Sequence, residues 1–209
     1  MTSKSGTLFI ISAPSGAGKT SLVKALIEQT ENLDVSISHT TRQPRNDEKN
    51  GEAYYFINED EFKNLINQNR FLEYAKVFDH YYGTSRDWVE QELTSGKNFI
   101  LEIDWQGARQ VSSQLRNCVS IFILPPNYHS LRERLVNRHN DEPETIDFRM
   151  NAAKEEISHY KEYDYIIIND TFEQALAEIK AVITATNLGT CRQSTFYDEF
   201  VSYIMAQDD

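Results

Sequence analysis

Only two cysteines occur in the 209 residues, Cys118 and Cys191. So few give no disulfide framework, and both are read as buried or inert thiols. No apolar run approaches the roughly 20 residues that span a bilayer. Met1–Gly6 is short and polar, without a secretory hydrophobic segment. Basic residues are in the minority, 21 Lys and Arg against 32 Asp and Glu, for a formal net charge of −11. A field of that sign repels nucleic acid and anionic membranes, so neither is an expected partner. The five histidines are scattered without metal-ligand spacing. There is no internal repeat and no low-complexity stretch. What remains is a cytoplasmic protein, in the compartment of ATP and reduced thiols, long enough for one α/β domain with insertions.

The most informative segment is Thr7–Thr20, TLFIISAPSGAGKT. The apolar run Leu8–Ile11 enters a small-residue loop, Ala13-Pro14-Ser15-Gly16-Ala17-Gly18, that ends in Lys19-Thr20-Ser21. A helical pattern follows at Leu22, Val23, Leu26 and Ile27. Strand, glycine loop and helix together are the context that marks a phosphate-binding loop. Glycines let backbone N–H groups converge on an anion, and the helix N-terminus adds partial positive charge. Lys19 is placed to reach β/γ-phosphates and the Thr20 hydroxyl to ligate Mg²⁺. Ala13 stands where the strict motif has glycine.

Apolar runs at Leu8–Ile11, Phe99–Ile103, Val119–Leu124 and Tyr165–Ile168 read as buried parallel strands. Helical patterns follow them at Ser21–Gln29, Gln106–Leu115, Tyr128–Val136 and Phe172–Leu188. This alternation predicts an α/β fold, a parallel sheet with helices on both faces and ligands at the carboxyl ends of its strands. Two segments break the pattern. Residues 36–86 read as a small mixed insertion, with strand-like Tyr54–Ile57 and Phe71–Phe78 around a helix at Asp60–Asn67. Residues 128–160 read as a hinged helical flap, with Pro143 in the first turn of its second helix. The core is then 1–35, 87–127 and 161–209. In the tail, Phe196, Phe200, Val201, Ile204 and Met205 have helical spacing. That face either packs on the core or makes a homo-oligomer contact.

Within the insertion, Thr40-Thr41-Arg42-Gln43-Pro44-Arg45 places two arginines three residues apart around a backbone that proline restricts. Alone this reads as a solvated basic loop. Beside a phosphate loop it reads as a second phosphate site, because guanidinium groups bind such oxygens bidentately. Glu102 and Asp104 close the strand Phe99–Ile103, where a phosphate-loop protein places its Mg²⁺ acid. The alternative for them is a turn carboxylate at a strand end.

The segments SAPSGAGKT, VSISHTTRQPR, GEAYYF, FLEYAKVFDHYYGTS, IDWQGA, FILPP and IIIND occur in this order. Together they resemble bacterial guanylate kinase over nearly the whole chain to Leu188. The resemblance implies a phosphate-loop kinase of three parts: a core, a GMP-binding insertion and a lid. It implies that Ala13–Ser21 cradle ATP, helped by Arg134, Arg138 and Asn169. It implies that Arg42, Arg45 and Tyr54 hold the GMP phosphate with Tyr82 closing on it, and that Ser38, Glu73 and Thr84 read guanine. Gly83, Asp104 and Arg149 join the same GMP site. Catalysis falls to Lys19, Arg42, Arg138 and Arg149, with Mg²⁺ as cofactor near Thr20 and Asp104, and near Glu102 through water. The chain departs from the family at Glu102, usually Asp, and at His139, usually Gly.

The implied reaction is ATP + GMP giving ADP + GDP, with dGMP an alternative acceptor. A phosphate monoester has a second pKa of about 6, so GMP needs no general base. The obstacle is repulsion between anions, about 4 kcal/mol for two unit charges 4 Å apart at an effective dielectric of 20. Cations that gather around both phosphates offset it. Two other readings compete: a non-catalytic binding module of this fold, and a phosphate-loop kinase that acts on a phosphorylated sugar. The first would lack a working phosphate loop, and the second would not need Ser38, Glu73 and Thr84.

Overall fold

The computed structural model describes residues 6–45, 48–115, 117–137 and 143–206, and the side chains of 143 and 191–196 are outside the description. Arg138, His139 and the side chains of Cys191 and Phe196 therefore lie outside the described residues. The chain order is β1 (Leu8–Ser12), α1 (Lys19–Glu28), β2 (Leu33–Val35), β3 (His39–Thr40), β4 (Tyr55–Phe56), α2 (Glu59–Asn67), β5 (Phe71–Val77), β6 (His80–Ser85), α3 (Arg86–Ser95), β7 (Asn98–Glu102), α4 (Trp105–Gln114), β8 (Cys118–Leu124), α5 (Tyr128–Val136), α6 (Pro143–Ser158), β9 (Tyr165–Ile168), α7 (Phe172–Leu188) and α8 (Thr190–Met205).

Five strands form one parallel sheet in the order β2-β7-β1-β8-β9. The central strand β1 is buried along its whole length, which is why its sequence is a continuous apolar run rather than an alternating one. Successive side chains point to opposite faces. Phe9 and Ile11 join Leu22, Leu26, Ile179 and Ile183 on one side. Leu8 and Ile10 join Val89, Phe99, Leu101 and Val111 on the other. Helices thus cover both faces, as the alternation predicts. The register pairs Ile11 with Glu102, so the end of β7 stands beside the loop that leaves β1.

A second sheet, β4-β3-β6-β5, is mixed. Its hairpin β5–β6 turns at Phe78 and Asp79, both with positive φ, 48° and 66°. Positive φ at both turn residues matches the right-handed twist of the strands. The edge strand β5 docks on α4 through glutamines. Tyr74 N–H donates to Gln110 Oε1, Gln110 Nε2 donates to the Tyr74 carbonyl at 2.7 Å, and Gln114 Nε2 donates to the Leu72 carbonyl at 2.8 Å. Those side chains satisfy an edge that would otherwise be unpaired.

Three departures from the sequence reading have simple causes. Strand β9 is an edge strand, so only Ile167 is buried while Tyr165, Ile166 and Ile168 are exposed. The short strands β2 and β3 and the helix α3 carry too little periodicity to stand out. In α8, the described apolar residues Phe200, Val201, Tyr203, Ile204 and Met205 are all at least half exposed.

Candidate active site

The phosphate loop is built by two left-handed glycines, Gly16 at φ 91° and Gly18 at φ 93°. Its turn closes with the Ala17 N–H donating to the Pro14 carbonyl at 3.0 Å. Helix α1 starts at Lys19 without a side-chain cap, which leaves its first-turn N–H groups directed at the loop. The outside of the loop is tied down. Asn169 is buried at the end of β9 and donates from Nδ2 to the Ala17 carbonyl at 2.7 Å. Arg134 donates to the Asn169 carbonyl at 2.9 Å and to that of Ala17 at 3.5 Å. A side chain at Gly18 would place its Cβ 2.4 Å from Asn169 Nδ2. One at Gly16 would meet Leu135 and Leu131 of α5 at 3.0–3.2 Å.

The loop opens into a cleft of about 250 Å³. Its walls bring together Ala13, Pro14, Ser15, Gly16, Gly18, Lys19, Thr20, Ser38, Arg45, Tyr54, Glu73, Tyr82, Glu102, Asp104 and Arg149. These come from both sheets, from the phosphate loop and from α6. Ala17, Ser21, Arg42, Gly83, Thr84, Arg134 and Asn169 are not among the residues that line the cleft.

Glu73 is only 3% exposed and accepts a hydrogen bond from Thr84 Oγ1 at 2.6 Å. The two residues face each other across β5 and β6, beyond a bulge that follows Phe71. Burial pushes the Glu73 carboxyl up to about 7, against the pull of the Thr84 hydroxyl. Gly107 in the first turn of α4 makes room for it, since a Cβ there would sit 2.5 Å from Glu73 Oε2. Ser38 is also buried. The end of the cleft therefore holds a desolvated carboxyl beside hydroxyls, suited to a partner with adjacent N–H donors.

Nearer the middle, Tyr54 and Tyr82 meet edge to face with ring centres 5.9 Å apart. Burial first, and Glu102 second, push the Tyr54 hydroxyl up to about 12, so it remains a donor. Arg42 lies over the rings of Tyr54 and Phe56 at 5.4 and 5.8 Å. Its Nη2 donates to Glu48 Oε1 at 2.8 Å, and Glu48 Oε2 accepts from the Arg45 N–H at 2.8 Å. One carboxylate thus bridges both arginines of the TTRQPR loop.

Thr20 Oγ1 donates to Glu102 Oε2 at 3.2 Å. Asp104 caps α4, with Oδ1 accepting from Gly107 N–H at 2.9 Å and Oδ2 from Gln106 Nε2 at 3.1 Å. It also lines the cleft. Asp104 is thus a helix-capping carboxylate that also faces the cleft. Among the described residues no group of three His, Cys, Asp or Glu is placed to hold a metal alone. A hydroxyl with nearby carboxylates instead suits a hard cation that keeps waters and substrate phosphates as its other ligands.

The cleft is roofed where α6 meets the β5–β6 turn. Phe148 touches Phe78 edge to face at 5.8 Å, and the Arg149 guanidinium lies over Phe78 at 5.8 Å. Helices α5 and α6 share their own small core of Leu131, Leu135, Ile146, Met150 and Ala153. Four positions in or beside the cleft escape the sequence reading: Glu48, Phe78, Gly107 and Glu156. Glu48 and Glu156 look like solvated acids in polar segments, and no spacing rule joins them to their partners. Gly107 does carry a signal, as a glycine inside a helical pattern.

The guanylate kinase family model matches residues 5–186. This chain belongs to the guanylate kinase family. It is 52% identical over 194 residues to guanylate kinase of Alkalilimnicola ehrlichii, covering 93% of this chain and 96% of that one. It is 50% identical over 203 residues to that of Escherichia coli K12, covering 96% and 98%. The crystal structure of guanylate kinase from Anaplasma phagocytophilum superposes with a TM-score of 0.77 at 35% identity, covering 90% of each chain. The family and the fold class expected from the motifs are thereby shown. Ala13 at the head of the loop is compatible with membership. No described helix is long and apolar enough to cross a membrane.

Proposed function

We propose that this guanylate kinase family member transfers the γ-phosphoryl group of ATP to GMP, giving ADP and GDP. The observation that carries the reading is the single cleft on which the phosphate loop with Lys19 and the loop residue Arg45 converge, with buried Glu73 at the end. Support for the family's activity comes from relatives about as similar as 50% over nearly full length.

In this reading the phosphate loop and Lys19 hold the ATP phosphates, and Arg45, Tyr54 and Tyr82 hold the GMP phosphate. Arg42 joins them once Glu48 yields. Glu73, ionised, accepts guanine N1–H and N2–H₂, while Ser38 or Thr84 supplies a hydroxyl to O6. Adenine presents a lone pair at N1 and meets that carboxylate unfavourably. Mg²⁺ would be held by Thr20, with Asp104 and Glu102 beyond water, and supplies charge neutralisation to the transferring phosphoryl group. Lys19, Arg42, Arg45 and Arg149 gather around both phosphates, so the nucleophile needs no base and the enzyme supplies positioning and charge. Arg138, outside the described residues, completes the set. Arg134 and Asn169 act from outside the loop by fixing Ala17, next to the adenine side of the site.

The division into core (1–35, 87–127, 161–209), GMP-binding insertion (36–86) and lid (128–160) follows from the same reading. Closure of the lid excludes water, which would otherwise hydrolyse ATP. The exposed apolar face of α8 is read as the contact with a second copy, and the compartment as cytoplasm. The deciding experiment gives the purified chain ATP and Mg²⁺ with GMP, dGMP, AMP, UMP or ribose phosphates. GDP from GMP, with little turnover of AMP or UMP, is the expected outcome. An enzyme that phosphorylates the sugar phosphates instead, or none of the panel, overturns the reading.

A further inference from the structure

Glu156 lies near the C-terminal end of α6 and reaches the phosphate loop. The Ser15 N–H donates to its Oε2 at 3.2 Å. Its carboxyl lines the same cleft as Lys19 and Asp104. The side chain is not a mobile surface acid. Ala153 and Met150, one to two turns before it, are buried against α5. His159, a turn after it, stacks on Trp105 with ring centres 3.7 Å apart and places Nδ1 2.7 Å from Glu162 Oε1. Glu162 in turn pairs with Arg109 of α4. The turn of α6 that carries Glu156 is thus clamped to α4 on one side and to α5 on the other.

The groups that bear on the carboxyl are known. The carboxyl is pushed up to about 7: burial is the main cause, Asp104 and Glu155 act in the same direction, and the Ser15 N–H and Lys19 oppose them. The partner it has found is a backbone donor of a loop whose geometry serves anions. We propose that Glu156 is a built-in stand-in for a nucleotide phosphate, a lid carboxylate that takes the Ser15 N–H and competes with ATP for the loop. ATP binding then displaces a like charge already in place, and the release of that contact reports occupancy of the loop to the lid helix. Glu156 is a positioning residue in this scheme, and it acts through Ser15 and the loop.

The inference rests on the reading of Thr7–Thr20 as the ATP site, and the test separates the two. A non-hydrolysable ATP analogue with Mg²⁺ is titrated calorimetrically into the wild type, Glu156→Gln and Glu156→Ala at pH 8. Binding by the wild type tests the site itself. Glutamine keeps the size and the acceptor and removes the charge, so it is expected to tighten analogue binding by about tenfold, the equivalent of about 1.4 kcal/mol. In steady state the KM for ATP should fall in Glu156→Gln while the KM for GMP stays, a split that general loosening of the lid would not give. Alanine also removes the charge and decides the matter if the glutamine variant does not fold. Unchanged or weaker analogue binding by the uncharged variants, with the wild type binding normally, overturns the proposal and leaves the ATP site standing.

Discussion

Replacing Glu73 by glutamine should make the protein more stable at alkaline pH and less able to use GMP. Glu73 is buried, and its carboxyl titrates at about 7 where 4.5 is ordinary. That displacement corresponds to about 3 kcal/mol against the ionised form, at about 1.4 kcal/mol per unit. The direction of the pH effect follows from proton counting. Between pH 4.5 and 7 the folded chain still holds the proton that the unfolded chain has released. Stability therefore falls as pH rises through this window, and the cost is complete above it. Glutamine has no such cost, and its Oε1 can still accept from Thr84. The variant should match the wild type near pH 4.5 apart from local packing, and gain on it up to pH 8. For a chain of this size about 3 kcal/mol is about 6–12 °C in Tm.

The same substitution should harm substrate choice. In the proposed reading guanine brings two donors to this end of the cleft, and an amide nitrogen would face them with donors of its own. The loss of a charged acceptor with its desolvated partners left unpaired should lower kcat/KM for GMP by about a hundredfold and bring GMP and AMP closer together. Wild-type affinity for GMP should rise with pH through 7, as the carboxylate that accepts those donors becomes populated. Scanning calorimetry from pH 4.5 to 8 and paired GMP and AMP kinetics check both halves. A stability difference that does not change with pH, together with an unaltered GMP to AMP ratio, would refute the reasoning.

Two further outcomes follow from the same geometry. Lys19→Ala should cut turnover by at least about a hundredfold through loss of phosphate charge compensation, while circular dichroism and Tm stay close to wild type; near-normal turnover would remove Lys19 from its assigned role. Gly107→Ala pushes a methyl group to 2.5 Å from Glu73 Oε2, and because that carboxyl is buried and bonded it cannot swing away freely. It should cost about 1–3 kcal/mol, as overpacking does, and raise the KM for GMP while the KM for ATP holds, which denaturant unfolding and steady-state kinetics would read.

The legible parts of this chain were those fixed by short-range pattern. The phosphate loop is contiguous, and its strand-loop-helix context is written in fourteen adjacent residues, Thr7–Thr20. Buried strands such as β1 and β8 show as apolar runs because both of their faces are covered. Strand β9 shows the limit of that logic. Its run Tyr165–Ile168 is as apolar as β1, yet it ends the sheet and only Ile167 is buried. Position in a sheet is a property of topology, and composition does not encode it. The resemblance singled out Glu73 and Thr84, but the reason they work together is their pairing across β5 and β6, eleven residues apart. Gly107 shows as a glycine inside a helical pattern, but its partner Glu73 does not show with it, because the contact joins the start of α4 to a strand of the other sheet.

The acids missed by the sequence reading carry a common physical theme. A chain of net charge −11 must still present positive sites to two anionic substrates. It does so by concentrating Lys19, Arg45 and Arg149 around one cleft, with Arg42 beside it and the acids Glu73, Glu102, Asp104 and Glu156 on the same walls. Such cations, partly withdrawn from water, are costly to leave uncompensated. Glu48 answers that need at the arginine loop by bridging Arg42 and the Arg45 N–H. Burial is the leading opposing influence on Arg42, and the Glu48 carboxylate more than offsets it, keeping the guanidinium charged in place. Glu156 meets the phosphate loop in a similar way through Ser15. On the proposed reading a substrate phosphate exchanges with a carboxylate already present instead of entering a bare cationic hole. Affinity is moderated by that exchange, and products as anionic as the substrates can leave.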